Sequence, residues 1–160
     1  MIDATVIRAH QHAAGAKGGQ TLQALGRSCG GFSSKIHAKV DALGMPLSFV
    51  LSGGNCHDSQ FSDELWDREY CDYLLADRGY DDDAFRGRLI NSKIEPVIPG
   101  KKNRIKPVEY DKFIYKERNF VERFFNRIKH FRRIATRYDK TAIMFKGCLF
   151  VVGILIWIKL

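Results

Sequence analysis

Apolar and polar residues alternate from Lys35 to Val40, with Ile36, Ala38 and Val40 on one face and Lys35, His37 and Lys39 on the other. A period of two predicts a strand with one face in a core and the other toward solvent or a DNA ligand. Asp41-Ala42-Leu43-Gly44 turns the chain, and the run from Pro46 to Leu51 predicts the second strand of a hairpin, broken by Ser52-Gly53-Gly54-Asn55. Ile2 to Ile7 reads as a further strand, with Asp3 set among apolar neighbours. Tyr73-Leu74-Leu75-Ala76 is a short, unbroken apolar run that stops at Asp77, the pattern of a strand covered on both faces. Pro96 to Pro99 supplies a fifth strand.

Helical spacing takes over between and after these strands. Asp58 or Ser59 can cap a helix running to about Glu69, and Asp81 to Asp83 enrich the first turn of another that ends near Asn91. A long helix is predicted from about Tyr115 to Ile134, with Val121, Phe124, Phe125 and Ile128 as its buried stripe. A last helix from about Thr141 to Lys159 is apolar nearly all round and is predicted to be buried. Residues 11–31 and 100–111 read as basic loops. This order predicts an α/β fold, a mixed five-stranded sheet flanked by helices.

Composition narrows the classes. A length of 160 residues suits a single domain spanning 1–160, and a 45% hydrophobic content excludes disorder. Lys and Arg number 26 against 18 Asp and Glu, a net charge of +8 that favours polyanionic partners. The most apolar stretch, Gly147 to Ile158, is shorter than the ~18–20 residues a membrane span needs. The N-terminus has no signal-peptide core, so a cytoplasmic chain without a membrane partner is expected. Cys29, Cys56, Cys71 and Cys148 form no C-x-x-C pair and are expected as free, buried thiols.

Candidate chemistry lies on the long helix. Tyr115, Arg118, Glu122 and Lys129 follow one another at intervals of three, four and seven, each close to a whole number of turns, so they share one edge beside the apolar stripe. That edge would set Glu122 at the sheet; the plain alternative is an Arg–Glu pair on a solvated face. Asp77 ends an apolar strand, where sites form in open α/β sheets, although an N-cap or turn role also fits it. Asp3 in a core strand is costly unless it is paired or binds a metal. Three carboxylates from two strands and one helix suggest a cage for hard Mg²⁺. Two such ions ~3.5–4 Å apart activate a water or hydroxyl and stabilise the leaving oxygen of a phosphodiester.

These residues resemble a known family. Tyr115-Lys-Glu-Arg118-Asn-Phe-Val-Glu122, continuing to Lys129, matches the Tyr-(2)-Arg-(3)-Glu-(6)-Lys signature of the insertion sequence 4 superfamily of DDE-class bacterial transposases. Leu75-Ala-Asp77-Arg-Gly-Tyr-Asp81 is similar to the second-aspartate motif, and Ile2-Asp3-Ala4-Thr5 to the first. Gly31 to His37, His57-Asp58 and Arg123 to Arg137 are closest to the insertion sequence 5 group. The resemblance implies a ribonuclease H-like fold in which Asp3, Asp77 and Glu122 are catalytic and hold two Mg²⁺ (or Mn²⁺) ions. It implies cleavage at the ends of an insertion sequence and transfer of the freed 3′-hydroxyl to target DNA. Tyr115, Arg118 and Lys129 would contact phosphates or orient Glu122.

Members of the group carry an N-terminal DNA-binding region, whereas this chain starts two residues before Asp3. The resemblance therefore implies a second-frame or N-terminally truncated form, with a shortened first strand and weak activity on its own. Double-stranded DNA is the expected partner, with a homodimer on DNA and an upstream-frame product as further ones. A non-catalytic DNA-binding remnant lacking turnover and a general nuclease acting on RNA or hybrids are the rival readings. Lys101, Lys102, Arg104 and Lys106 form one basic cluster for phosphates, and Arg123, Arg127, Arg132, Arg133 and Arg137 another. His10, His12 and His57 read as loop or structural residues, and Trp66 and Trp157 as packing residues.

Overall fold

The computed structural model describes residues 1–28 and 30–159. In chain order the elements are β1 (Ile2–Ala9), α1 (Gly19–Leu22), β2 (Gly26–Ser28), β3 (Gly31–Val40), β4 (Pro46–Gly53), α2 (Ser62–Trp66) and β5 (Tyr73–Leu75). There follow α3 (Asp83–Asn91), β6 (Glu95–Val97), α4 (Lys112–Tyr115), α5 (Asn119–Lys129), α6 (Arg132–Ala135), β7 (Thr136–Arg137) and α7 (Ala142–Ile158).

The architecture is α/β with a mixed sheet. β3 is its centre, antiparallel to β1 on one side, where Asp3 faces Ala38, and to β4 on the other. β2 extends the sheet beside Gly31 to Ser33, and β7 runs parallel to the end of β1 at Arg8 and Ala9. β5 and β6 form a separate parallel ladder. The five strands expected of one sheet are therefore divided. Two short strands, in a supposed loop and after the long helix, complete the main sheet. The 73–75 run pairs only with β6 and shares a hydrophobic cluster with β1 through Ile2, Leu74 and Ala76.

Both faces of β3 are covered. On one, Ile36, Ala38 and Val40 join Ile7, Phe49 and the predicted stripe Val121, Phe124, Phe125 and Ile128, with α7 closing the cluster. On the other, α2 and the 3-10 turn Asp58–Phe61 pack over residues expected to face solvent. His37 is completely buried there, with Nε2 2.8 Å from Ser52 Oγ and the Phe61 ring 4.5 Å away. Lys35 Nζ donates to Asp58 Oδ1 (2.8 Å) and the Cys56 carbonyl (2.6 Å), and Lys39 Nζ to Glu69 Oε2 (2.7 Å). Asp58 thus serves a lysine rather than a helix cap, and α2 starts only at Ser62.

Three further expectations are corrected. The long helix is interrupted: α4, a 3-10 turn over Lys116–Arg118, α5 and α6 replace it, and the break between α5 and α6 falls at Phe131, which turns extended and packs against the core. α7 is buried only along Phe145, Leu149, Val152, Gly153 and Ile156, while Ile143 and Ile158 are 78% and 73% exposed. A helix packed on one sheet face is covered along one stripe, whatever its composition. Trp157 is likewise half exposed, although its Nε1 donates to the Pro46 carbonyl (2.9 Å). Cys56, Cys71 and Cys148 are free but half-buried, and Cys29 lies outside the described residues. No helix among the described residues is long and apolar enough to cross a membrane.

Candidate active site

Asp3 is the second residue of β1, and its register beside Ala38 turns it to the face that carries α5. Its side chain is 13% exposed. Oδ1 accepts from the Ala4 N–H and Oδ2 from Arg118, at 2.8 and 2.7 Å. Burial pushes its pKa up to about 6, and the Asp77 charge adds to that; the Ala4 N–H and Arg118 oppose it without prevailing.

Asp77 follows the C-terminal end of β5. Its Oδ1 accepts from the Gly79 N–H (2.8 Å), so it caps the 3-10 turn Arg78–Tyr80 and does take the turn role the sequence left open. Gly79 leaves room for this carboxylate: a Cβ at that position would lie 2.8 Å from Asp77 Oδ1 and 3.3 Å from Asp58 Oδ2, so the Asp77 side chain would have to shift. The Asp77 charge adds to the raised pKa of Asp3, Tyr80 and Tyr115 and supports the charged form of Arg118.

Glu122 sits one turn into α5 and is 52% exposed, so its edge faces more water than the stripe implied. Arg118 holds it: one guanidinium nitrogen donates to Glu122 Oε1 and another to Asp3. Burial works against the Arg118 charge, but Asp3, Tyr115, Glu122 and Asp77 outweigh it and raise its pKa. The Tyr115 ring lies 5.8 Å from the same guanidinium, and burial raises its hydroxyl pKa. Asp3, Arg118, Tyr115 and Glu122 are therefore in contact through Arg118. Lys129, at the far end of α5, is exposed and makes no ion pair among the described residues.

The donors suit a hard divalent cation in chemistry, since all are carboxylates and Asp3 and Asp77 are partly withdrawn from water. Their placement is another matter. Among the described residues no three Asp, Glu, His or Cys side chains come close enough to hold a metal ion, and Arg118 stands between Asp3 and Glu122.

Two residues passed over in the sequence border this site. Tyr80 is completely buried; burial first, and then the charges of Asp58, Asp3 and Asp77, push its pKa up. Its hydroxyl lies 3.5 Å from His37 Nδ1. Asp58 Oδ2, like Asp77 Oδ1, lies close to Gly79. The only hint in the sequence was their place in the His57-Asp58 and Asp77-Arg-Gly-Tyr80 motifs, which assign neither a role.

The basic residues divide. Lys101, Lys102, Arg123, Arg127 and Arg132 are exposed, with Arg123 over the Phe120 ring at 5.8 Å. Arg104 is occupied by Asp81 and Asp83, and Arg133 by Asp139. Acidic partners therefore stand within both clusters. Arg137 is completely buried and cannot reach a phosphate; it donates to Ser34 Oγ (2.7 Å) and to the Ala24 and Asp139 carbonyls. His10 stacks on Tyr138 (4.9 Å) at the opposite end of β1 from Asp3.

A family model described as the transposase DDE domain matches residues 1–157. The chain belongs to that family. It is 35% identical over 129 residues to a Brucella ovis protein named as a transposase for insertion sequence element IS6501, covering 79% of this chain and 99% of that one. It is 32% identical over 121 residues to a Burkholderia cepacia protein named as a transposase for insertion sequence element IS402, covering 68% of this chain. The match takes in only 55% of the Burkholderia protein. No solved structure matches the chain.

Proposed function

We propose that residues 1–160 act as a single ribonuclease H-like catalytic domain that cleaves DNA at the ends of an insertion sequence and transfers the cut strand to a target. The observation that carries this reading is the meeting of the transposase signature with the two strand aspartates: Arg118 of that signature bonds both Glu122 and Asp3, and the Asp77 charge reaches Arg118 and Asp3. Asp3, Asp77 and Glu122 would hold two Mg²⁺ or Mn²⁺ ions, which when bound activate the attacking water or 3′-hydroxyl and stabilise the leaving oxygen.

The chain's own groups do the rest. Asp3 and Asp77 would supply carboxylate oxygens, which the Ala4 and Gly79 N–H groups anchor. Arg118, over Tyr115, offers a planar donor fork suited to a phosphate. Lys129 and the exposed Lys101, Lys102, Arg123, Arg127 and Arg132 supply backbone contacts without sequence preference. The test is Mg²⁺-dependent nicking of a duplex carrying the element ends, on which cutting is expected from this chain and none from Asp77→Asn. Equal cutting by both would refute the proposal.

One observation favours a second reading, a DNA-binding remnant without turnover: Glu122 is engaged by Arg118, and no three-acid group forms among the described residues. Such a protein would bind DNA equally well with and without Mg²⁺ and would never nick it.

A further inference from the structure

The proposed site contains a cation of its own. Arg118 presents one guanidinium nitrogen to Asp3 Oδ2 at 2.7 Å and another to Glu122 Oε1. Those two acids come from the first strand and from the helix following Arg118, 119 positions apart in numbering and brought together by the fold. Removing Asp3 from water beside Asp77 is costly without a nearby positive charge. Lys35 cannot provide it, because Asp58 and the Cys56 carbonyl already occupy its ammonium group. Asp77 itself makes no ion pair among the described residues. One guanidinium therefore faces three carboxylates, and the space around them retains negative charge.

We propose that Arg118 is the resident cation of this acidic site and competes with divalent metal for Asp3 and Glu122. This rests on the metal-site reading above. Arg118 holds one oxygen of each of these two carboxylates, and a guanidinium charge at contact distance from them repels a divalent cation approaching the same groups. Arg118 sits where the 3-10 turn passes into α5, with its side chain 18% exposed, so its fork has a path toward solvent. Once released beside Tyr115, its fork matches a phosphate. Metal entry and capture of the DNA backbone then favour each other, because each takes one partner of the same ion pair. In this arrangement the signature arginine weakens metal binding until a nucleic-acid phosphate draws it away.

The test is a Mn²⁺ titration, with free metal read by electron paramagnetic resonance, on the wild-type chain, Arg118→Gln, Arg118→Lys and Arg123→Gln. Arg123 lies on α5 and touches none of the acids, so its loss measures the effect of removing one surface charge. The expected result is Mn²⁺ binding about tenfold tighter in Arg118→Gln than in wild type, an ordinary size for coupling between two ligands. Arg118→Lys should bind a few-fold tighter, since an ammonium is a point charge without the bridging fork, and Arg123→Gln should match wild type. Binding no tighter in Arg118→Gln, or an equal gain in Arg123→Gln, overturns the competition. If Arg118→Gln does not fold, the Lys variant decides, and affinity equal to wild type overturns it. Failure of every chain, wild type included, to bind Mn²⁺ removes the metal site itself and the competition with it.

Discussion

The two faces of β3 solve the same burial problem in opposite ways. The face carrying Ile36, Ala38 and Val40 packs onto α5 and α7 through apolar contacts. The face carrying Lys35, His37 and Lys39 is also covered, but there each polar atom has a partner: Asp58, Ser52 or Glu69. Alternation along a strand tells which side chains share a face; it does not tell whether that face is wet. Polar residues can line a covered surface when the facing element supplies complementary groups, as α2 and the turn before it do here. Asp3, on the dry face, takes its partner from the edge of that face.

Mutations at equivalent depth can break this contrast. Phe124→Ala is expected to cost about 3–5 kcal/mol, the usual range for a buried aromatic, measured by urea denaturation. Ser52→Ala, which removes the His37 partner on the other face, is expected to cost about 1–2 kcal/mol. Equal losses would mean that the polar face packs as tightly as the apolar one.

The faces should also answer acid in opposite directions. Burial lowers the His37 pKa to about 4, so its contribution is complete above the unfolded value near 6.5 and lost as pH falls toward 4. Asp3, raised to about 6, behaves inversely: its ionisation weighs against the fold at neutral pH, and stability returns as pH falls from 6 toward 3.8. Each effect is on the order of 3 kcal/mol. The metal-free His37→Gln chain should therefore gain stability between pH 6.5 and 4, and Asp3→Asn should lose it. Curves of the same sign in both variants would contradict the assignment. Smallest in stability is Gly79→Ala, expected to shift the melt by less than about 1 kcal/mol while weakening Mn²⁺ binding about tenfold through displacement of the Asp77 carboxylate. Unchanged Mn²⁺ affinity would place Asp77 outside the metal site.

Much of this was legible in the sequence. The stripe Val121, Phe124, Phe125 and Ile128 is buried as its spacing required, and Asp77 stands at the end of a strand as the run before it required. Near neighbours along a helix fix such facts, so the Arg118–Glu122 contact followed from an interval of four. What spacing along the chain cannot carry is the pairing of distant elements. The Arg118–Asp3 bond, the Asp58–Lys35 pair and the neutralisation of Arg104 by Asp81 each join separate segments. Arg137 looked like a phosphate contact and is a buried link between strand and loop. α7 failed for a related reason: composition sets how much of a helix can be buried, and its neighbours decide how much is.

The central claim is that Asp3 and Asp77 bind metal together with Glu122. Its most direct test is Mn²⁺ binding by wild type, Asp3→Asn, Asp77→Asn and Asp63→Asn, the last altering an exposed acid paired with Arg88. Saturable binding by wild type and Asp63→Asn, lost in the other two, is the expected result. Binding that survives in both Asp3→Asn and Asp77→Asn would contradict the account.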